Sequence, residues 1–118
     1  AYAILSGLVG SEMCIRDSSC ISFLPIINGT HLILVEDLVS EKNNLHPVQE
    51  CFLEGAALQC GICTPGFMVA SKALLDKDPH PSEETIRFDL SGNLCRCTGY
   101  DKIVRAVQAA GQKMSTEV

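Results

Sequence analysis

Four cysteines fall into two tight groups, Cys60 and Cys63 in LQCGICTPG and Cys95 and Cys97 in GNLCRCTGY. As thiolates they make a donor set for a thiophilic metal centre, either a single zinc ion or an iron–sulfur cluster. The spacings differ, C-x-x-C in the first group and C-x-C in the second. Structural zinc sites more often repeat C-x-x-C in both halves, which favours iron and sulfide while leaving zinc open. A thiol–disulfide exchange site would want one C-x-x-C in a βαβ setting and gives the second pair nothing to do. Structural disulfides are a further use of the same residues, in an oxidising compartment.

The elements around the cysteines have a repeated layout. Pro47 suits a first helical turn, and Val48, Cys51, Phe52 and Gly55 follow at i, i+3, i+4 and i+7, which predicts a first helix ending near residues 55 to 58. Thr64 and Pro65 start a second helix through GFMVASKALL, apolar on nearly every side, with DPHP at 78 to 81 as its stop. Ser82 reads as the N-cap of a third, with Glu83 and Glu84 in its first turn, Ile86 and Leu90 facing inward, and Ser91 and Gly92 at its end. Thr98 reads as the N-cap of a fourth, with Asp101 as a box-like partner and Tyr100, Ile103, Val104 and Val107 as the core stripe. Both cysteine groups then open into helix N-termini, at Thr64 and at Thr98, where free N–H groups and the positive end of the dipole favour an anion. A thiolate-bound iron–sulfur core is such an anion. Gly61, Gly66 and Gly99 allow close backbone approach there.

Upstream the pattern is different. Between Cys20 and Val39, apolar residues flank Asn28–Gly29, a hairpin-type signal that predicts two short strands. SEKNN, within a linker at 40 to 45, has no apolar residue to bury. Residues 1 to 18 carry neither periodicity, and GLVGSEMCIRDS has the look of adaptor-derived sequence, so this stretch is expected to lie outside the native fold. Residues 114 to 118 are expected to be a tail.

Composition narrows the partners. The 118 residues are 47% hydrophobic, enough for one modest core, and carry a formal charge of -5. Gripping nucleic acid or an anionic bilayer needs clustered Lys and Arg, so neither is expected. No apolar run approaches the ~18–20 residues of a membrane span. AYAILSGLVG makes a poor signal peptide, which points to a reducing, cytoplasmic setting. Seven cysteines, an odd number, cannot all pair as disulfides.

Other chemistry is thin. His31, His46 and His80 are dispersed, and the last two precede prolines as caps or turn residues. Cys51 lies on the apolar side of the first helix as a small core residue. Glu83 and Glu84 belong to a solvated helix start. Nucleophile elbow, phosphate loop and dinucleotide fingerprint are all missing.

HPVQECFLEGAALQCGICTPGFMVASKALL followed by PSEETIRFDLSGNLCRCTGYDKIVRAV, within residues 46 to 113, closely resembles the helical [2Fe–2S] domain of molybdenum hydroxylases. That family includes xanthine dehydrogenase, aldehyde oxidase and carbon monoxide dehydrogenase. The resemblance implies a mainly α fold, a four-helix bundle of two-fold pseudo-symmetry, with Cys60, Cys63, Cys95 and Cys97 holding one [2Fe–2S] cluster. It implies cofactor-proximal roles for Gly61 and Gly99, and it matches Gln59 to a glutamine that hydrogen-bonds molybdopterin in a large partner subunit. Cys97 matches the ligand nearest that pterin, and Arg96 a structural or interface residue. SSCISFLPI, at 18 to 26, resembles the end of a plant-type ferredoxin domain, so 19 to 39 would be a β remnant of it. Cys20 would be its last cluster ligand, orphaned because the upstream C-x₄-C-x₂-C is missing, and the chain is read as N-terminally truncated. The implied function is electron transfer in an oxidoreductase complex with molybdopterin and FAD on partner subunits and no catalysis by this chain alone. A zinc-stabilised helical binding module and a free-standing [2Fe–2S] carrier are the alternatives.

Overall fold

The computed structural model describes residues 28–29, 33–39 and 44–116. Within them lie a 3₁₀ turn at Glu36–Leu38 and four helices: α1 (Pro47–Glu54), α2 (Thr64–Lys77), α3 (Glu83–Asp89) and α4 (Asp101–Thr116). The helices fall where the apolar period and the Pro and Ser signals put them, and the protein is mainly α.

Local chemistry fixes most of the ends. His46 caps α1, its Nδ1 accepting from the Val48 N–H at 3.2 Å while Gln49 Oε1 accepts from the His46 N–H at 3.0 Å. At the other end the Ala57 N–H donates to the Phe52 carbonyl at 2.9 Å and the Ala56 N–H to that of Leu53 at 3.1 Å. This is a Schellman close, with Ala56 at φ +47° in the left-handed position that glycine usually takes. Ser82 Oγ caps α3 by accepting from the Thr85 N–H at 3.1 Å.

The start of α4 differs from expectation. It begins at Asp101, and Thr98 is not its N-cap, because the Thr98 hydroxyl donates to the Cys95 sulfur instead. Gly99 and Tyr100 both take φ +69°, and the Asp101 N–H donates to the Gly99 carbonyl at 2.9 Å. The chain therefore enters α4 through a strained three-residue turn centred on Tyr100. At its far end α4 continues to Thr116, into the stretch expected to be a tail.

Packing is built around α4. Its stripe of Ile103, Val104, Val107 and Ala110 is buried against Val48 and Phe52 of α1, Phe67 and Leu75 of α2, and Ile86 of α3. Lys113 pairs with Glu50 across α4 and α1. On the surface Arg87 and Arg105 alternate with Glu83 and Asp101 at 2.8–3.8 Å, lacing α3 to the first turn of α4. The Arg87 hydrogen bond, with Arg105 behind it, holds the Glu83 carboxyl below its ordinary range.

Asn28–Gly29 is a turn, with Gly29 at φ +81°. The described residues contain no strand: 33 to 35, expected in the second strand, are irregular and lead into the 3₁₀ turn. The reason is that this segment is used for docking on helices. Leu38 is in the core, Ile33 and Val35 pack against it, and Gln49 Nε2 donates to the Val35 carbonyl at 3.2 Å. The first expected strand, Cys14, Cys20, His31 and residues 1 to 18 lie outside the described residues. Among those described, no helix is long and apolar enough to cross a membrane.

Gly111 of α4 offers a test of this packing. A Cβ there would stand 2.5 Å from the Pro79 carbonyl oxygen and 3.1 Å from Leu75 Cδ2. Alanine would gain about 1 kcal/mol of helix propensity, and overpacking against backbone costs about 1–3 kcal/mol. Gly111→Ala is expected to lower stability by about 1 kcal/mol net, read as a lower urea midpoint at unchanged slope.

Candidate metal centre

The two cysteine turns meet. Cys60 Sγ and Cys97 Sγ lie 3.5 Å apart although 37 positions separate them in the chain, and the Cys63 and Cys95 thiols are near enough for each to shift the other's titration. The four sulfurs are thus two pairs, each with one member from either turn. Two thiolates on one tetrahedral metal, at bonds of about 2.3 Å, stand roughly 3.8 Å apart. The Cys60–Cys97 separation is close to that of two ligands on a single metal. Among the described residues, no group of three or more His, Cys, Asp or Glu could hold one ion. Two paired sites suit a two-metal cluster better than a single zinc ion, and the donor set fits [2Fe–2S].

Each turn is shaped by what flanks it. After the Schellman close of α1, the chain passes buried Ala57 and exposed Gln59, then reverses at Gly61, φ +82°. The Gly61 carbonyl accepts from the Thr64 N–H at 3.2 Å, which delivers Cys63 directly to the start of α2. Gly66 lies within the first turn of that helix. Gly61 and Gly99 take φ of +82° and +69°, a conformation that favours glycine, and a Cβ at either would meet no protein atom within 4 Å.

The second turn is anchored from below. The Cys95 N–H donates to Tyr100 Oη at 2.9 Å, and the Tyr100 ring packs edge-on against Phe67, centroids 6.2 Å apart at 70°. Phe67 follows the first cysteine pair on α2, and Tyr100 follows the second. One aromatic contact therefore registers the two turns against each other. The apolar period finds Tyr100 as a core residue but says nothing of its hydroxyl, whose target depends on the positive φ of the residue itself.

The expected symmetry of the two halves is broken at this point. Cys63 stands at a helix N-terminus as anticipated, whereas Cys97 is separated from α4 by Thr98, Gly99 and Tyr100. Donors on the second side come from Thr98, whose Oγ1 and backbone N–H lie 3.0 and 3.4 Å from Cys95 Sγ. That hydroxyl, with the N–H beside it, draws the Cys95 thiol down to about 7. Burial, followed by the contact with Cys95, pushes Cys63 up to about 11. Contact with Cys60 raises Cys97. Cys95 is thus the sulfur prepared as a thiolate, and metal binding at its pair must displace a proton from Cys63.

The other expected residues separate cleanly. Cys51 is 5% exposed in the core and is no part of the site. Arg96 is exposed, and among the described residues it forms no ion pair. Cys60 and Cys97 are exposed while Cys63 and Cys95 pack on the core. Near them in the chain, Ile62 and Leu94 are 87% and 79% exposed.

Comparison with known proteins agrees with the donor chemistry. Residues 34–108 match the family described as "[2Fe-2S] binding domain". Over 81 residues the chain is 51% identical to the nicotinate dehydrogenase small FeS subunit of Eubacterium barkeri, covering 69% of this chain and 52% of that one. It is 40% identical to xanthine dehydrogenase of Oryza sativa subsp. japonica over 97 residues, 81% of this chain and 7% of that one. Among solved structures it superposes on quinoline 2-oxidoreductase from Pseudomonas putida 86 with a TM-score of 0.75 at 36% identity, covering 83% of this chain and 61% of that one. The chain spans about half the length of the small FeS subunit and a small fraction of the xanthine dehydrogenase.

Tyr100→Phe keeps the ring and removes the acceptor of the Cys95 N–H. A part-buried donor left without a partner costs about 1–2 kcal/mol. The expected outcome is a loss of that size in denaturant unfolding, with the four-helix circular dichroism spectrum retained.

Proposed function

We propose that this chain, which belongs to the [2Fe–2S] binding domain family, is the electron-transfer component of a molybdenum hydroxylase and holds one [2Fe–2S] cluster on Cys60, Cys63, Cys95 and Cys97. The observation that carries the reading is the 3.5 Å approach of Cys60 to Cys97, with Cys63 and Cys95 packed on the core behind them. The exposed Cys60–Cys97 pair and the Cys63–Cys95 pair packed on the core would each hold one iron of the cluster. The bound cluster supplies one-electron chemistry. The chain supplies the thiolates, the turns that hold them, and the donors that set their charge. Proton release from Cys63 accompanies loading, because only the deprotonated sulfur binds metal.

Gln59 and the exposed Cys60–Cys97 edge would face a molybdopterin centre in a large subunit, with the cluster passing its electrons on toward a second cluster and FAD. Ile62 and Leu94 support a partner on this edge, since apolar side chains so exposed are better placed in an interface than in water. Gln59, exposed immediately before Cys60, is available to hydrogen-bond a pterin there. The 19–39 segment is proposed as the end of a ferredoxin-like domain, with Cys20 an orphaned ligand. Residues 40–45 would be the linker to a helical domain beginning at 46. A reducing, cytoplasmic setting accords with four closely grouped thiols.

Two measurements test this. Purified under anaerobic conditions and loaded, the chain is expected to carry about two iron and two acid-labile sulfide per polypeptide; about four of each would mean two clusters, and zinc in their place would mean a structural site. Cys60→Ala or Cys97→Ala is expected to lose visible absorbance and helical order together, because binding and folding are coupled. Unchanged absorbance and circular dichroism in either variant would remove the assignment of ligands.

A further inference from the structure

Thr98 stands in a position that the ligand assignment leaves without a purpose. Its hydroxyl donates to Cys95 Sγ at 3.0 Å and its backbone N–H to the same sulfur at 3.4 Å. The direction of the hydroxyl is fixed from the other side, because Thr98 Oγ1 accepts from the Tyr100 N–H at 3.4 Å. With that acceptor direction occupied, the proton is left to point at sulfur. Tyr100 holds the arrangement through its φ of +69° and its own hydroxyl on the Cys95 N–H. An ordinary N-cap would have turned the threonine oxygen toward the helix. Here the fold gives up a cap, and accepts a strained turn, to aim a donor at one ligand sulfur. Among the described residues this is the one side-chain hydroxyl that donates to a cysteine sulfur.

The consequence is an asymmetry between the two sulfur pairs. Reduction adds one electron and moves no proton, so the ligand sulfurs gain negative charge with no bond made or broken. A fixed donor strengthens its hydrogen bond as its acceptor becomes more anionic, and donors on ligand sulfur help set cluster potentials. We infer that Thr98 is a positioning residue that raises the reduction potential of this centre and biases the entering electron toward the iron held by Cys63 and Cys95, away from the exposed Cys60–Cys97 pair. The inference rests on the cluster assignment proposed above and adds to it a direction. An electron that enters at the exposed edge is drawn inward, toward the pair packed on the core.

The test uses the full chain loaded with iron and sulfide, titrated spectroelectrochemically with dithionite as reductant and followed by electron paramagnetic resonance. Thr98→Val keeps the shape and removes the hydroxyl. It is expected to shift the reduced-to-oxidised ratio at a fixed potential about tenfold toward oxidised, a fall of ~59 mV for a one-electron couple. Thr98→Ser keeps the donor and is expected to remain within about twofold of the parent ratio, which a merely space-filling role for the threonine would not produce. In the reduced parent chain, paramagnetic proton NMR is expected to place the ferrous-type cysteine β-protons on Cys63 and Cys95. A midpoint unchanged in a normally loaded Thr98→Val chain overturns the inference, as do ferrous signals on Cys60 and Cys97. Both leave the cluster itself in place. Should Thr98→Val fail to load, the NMR assignment on the parent chain decides alone. A parent chain that takes up no iron–sulfur chromophore overturns the cluster reading instead.

Discussion

Everything at the centre depends on bringing Cys60 against Cys97 across 37 intervening positions. Thiols on two separate surface turns gain nothing by meeting on their own, and ordering both turns costs backbone entropy of roughly 1–2 kcal/mol per residue. Contacts behind the turns must offset that cost. Phe67 and Tyr100 do so most directly, because each is one short step of chain from a cysteine pair and each reaches the other's element. Behind them α4 lies against α1, α2 and α3, so the registration of the turns passes to the whole core. A metal cluster closing on the four sulfurs would tie the two turns together a second time, so that cluster and helical order depend on each other.

The two turns solve the same problem by different means. The first uses the helix it opens: Cys63 sits at the beginning of α2, and glycine at position 61 makes the reversal without steric penalty. In the second, three residues separate Cys97 from α4, so the helix N-terminus is out of place to serve the sulfurs. Thr98 substitutes for it with a hydroxyl and an N–H, and Tyr100 takes a left-handed conformation that costs a non-glycine residue about 1–2 kcal/mol. A residue under that kind of strain persists when its surroundings over-determine it, and Tyr100 has three such ties: its ring on Phe67, its hydroxyl under Cys95 and its N–H on Thr98.

This difference also marks the limit of what could be read from the residues. The existence and order of the four helices were legible, since apolar spacing, Pro47 and Ser82 are local signals that the core reinforces. The grouping of the cysteines was legible for the same reason. Thr98 was read as an N-cap because threonine followed three positions later by an acidic residue is what such a cap looks like; nothing in that pattern discloses that a sulfur three residues upstream will compete for the hydroxyl and win. The second strand was read from alternation and a turn signal, but Leu38 and Gln49 place residues 33–39 on α1 instead, a tertiary preference that no short window contains. The left-handed Ala56 was invisible too, because alanine carries none of the turn chemistry that glycine would have announced.

Exposure divides the site along the same line as the hydrogen bonds. Cys63 and Cys95 pack on the core and Cys95 receives the Thr98 donors, whereas Cys60 and Cys97 are exposed, as are Ile62 and Leu94 near them in the chain. A charged cluster is stabilised by water on its exposed side, and that solvent would also dissipate any difference between its two ends. Covering the apolar rim removes the water, lowers the local dielectric, and makes each remaining fixed donor count for more. The Thr98 donors lie on the inner side. An interface closing over Ile62 and Leu94 would therefore sharpen the inward bias that Thr98 initiates, so that the same contact which brings an electron source to the exposed sulfurs also strengthens the pull away from them.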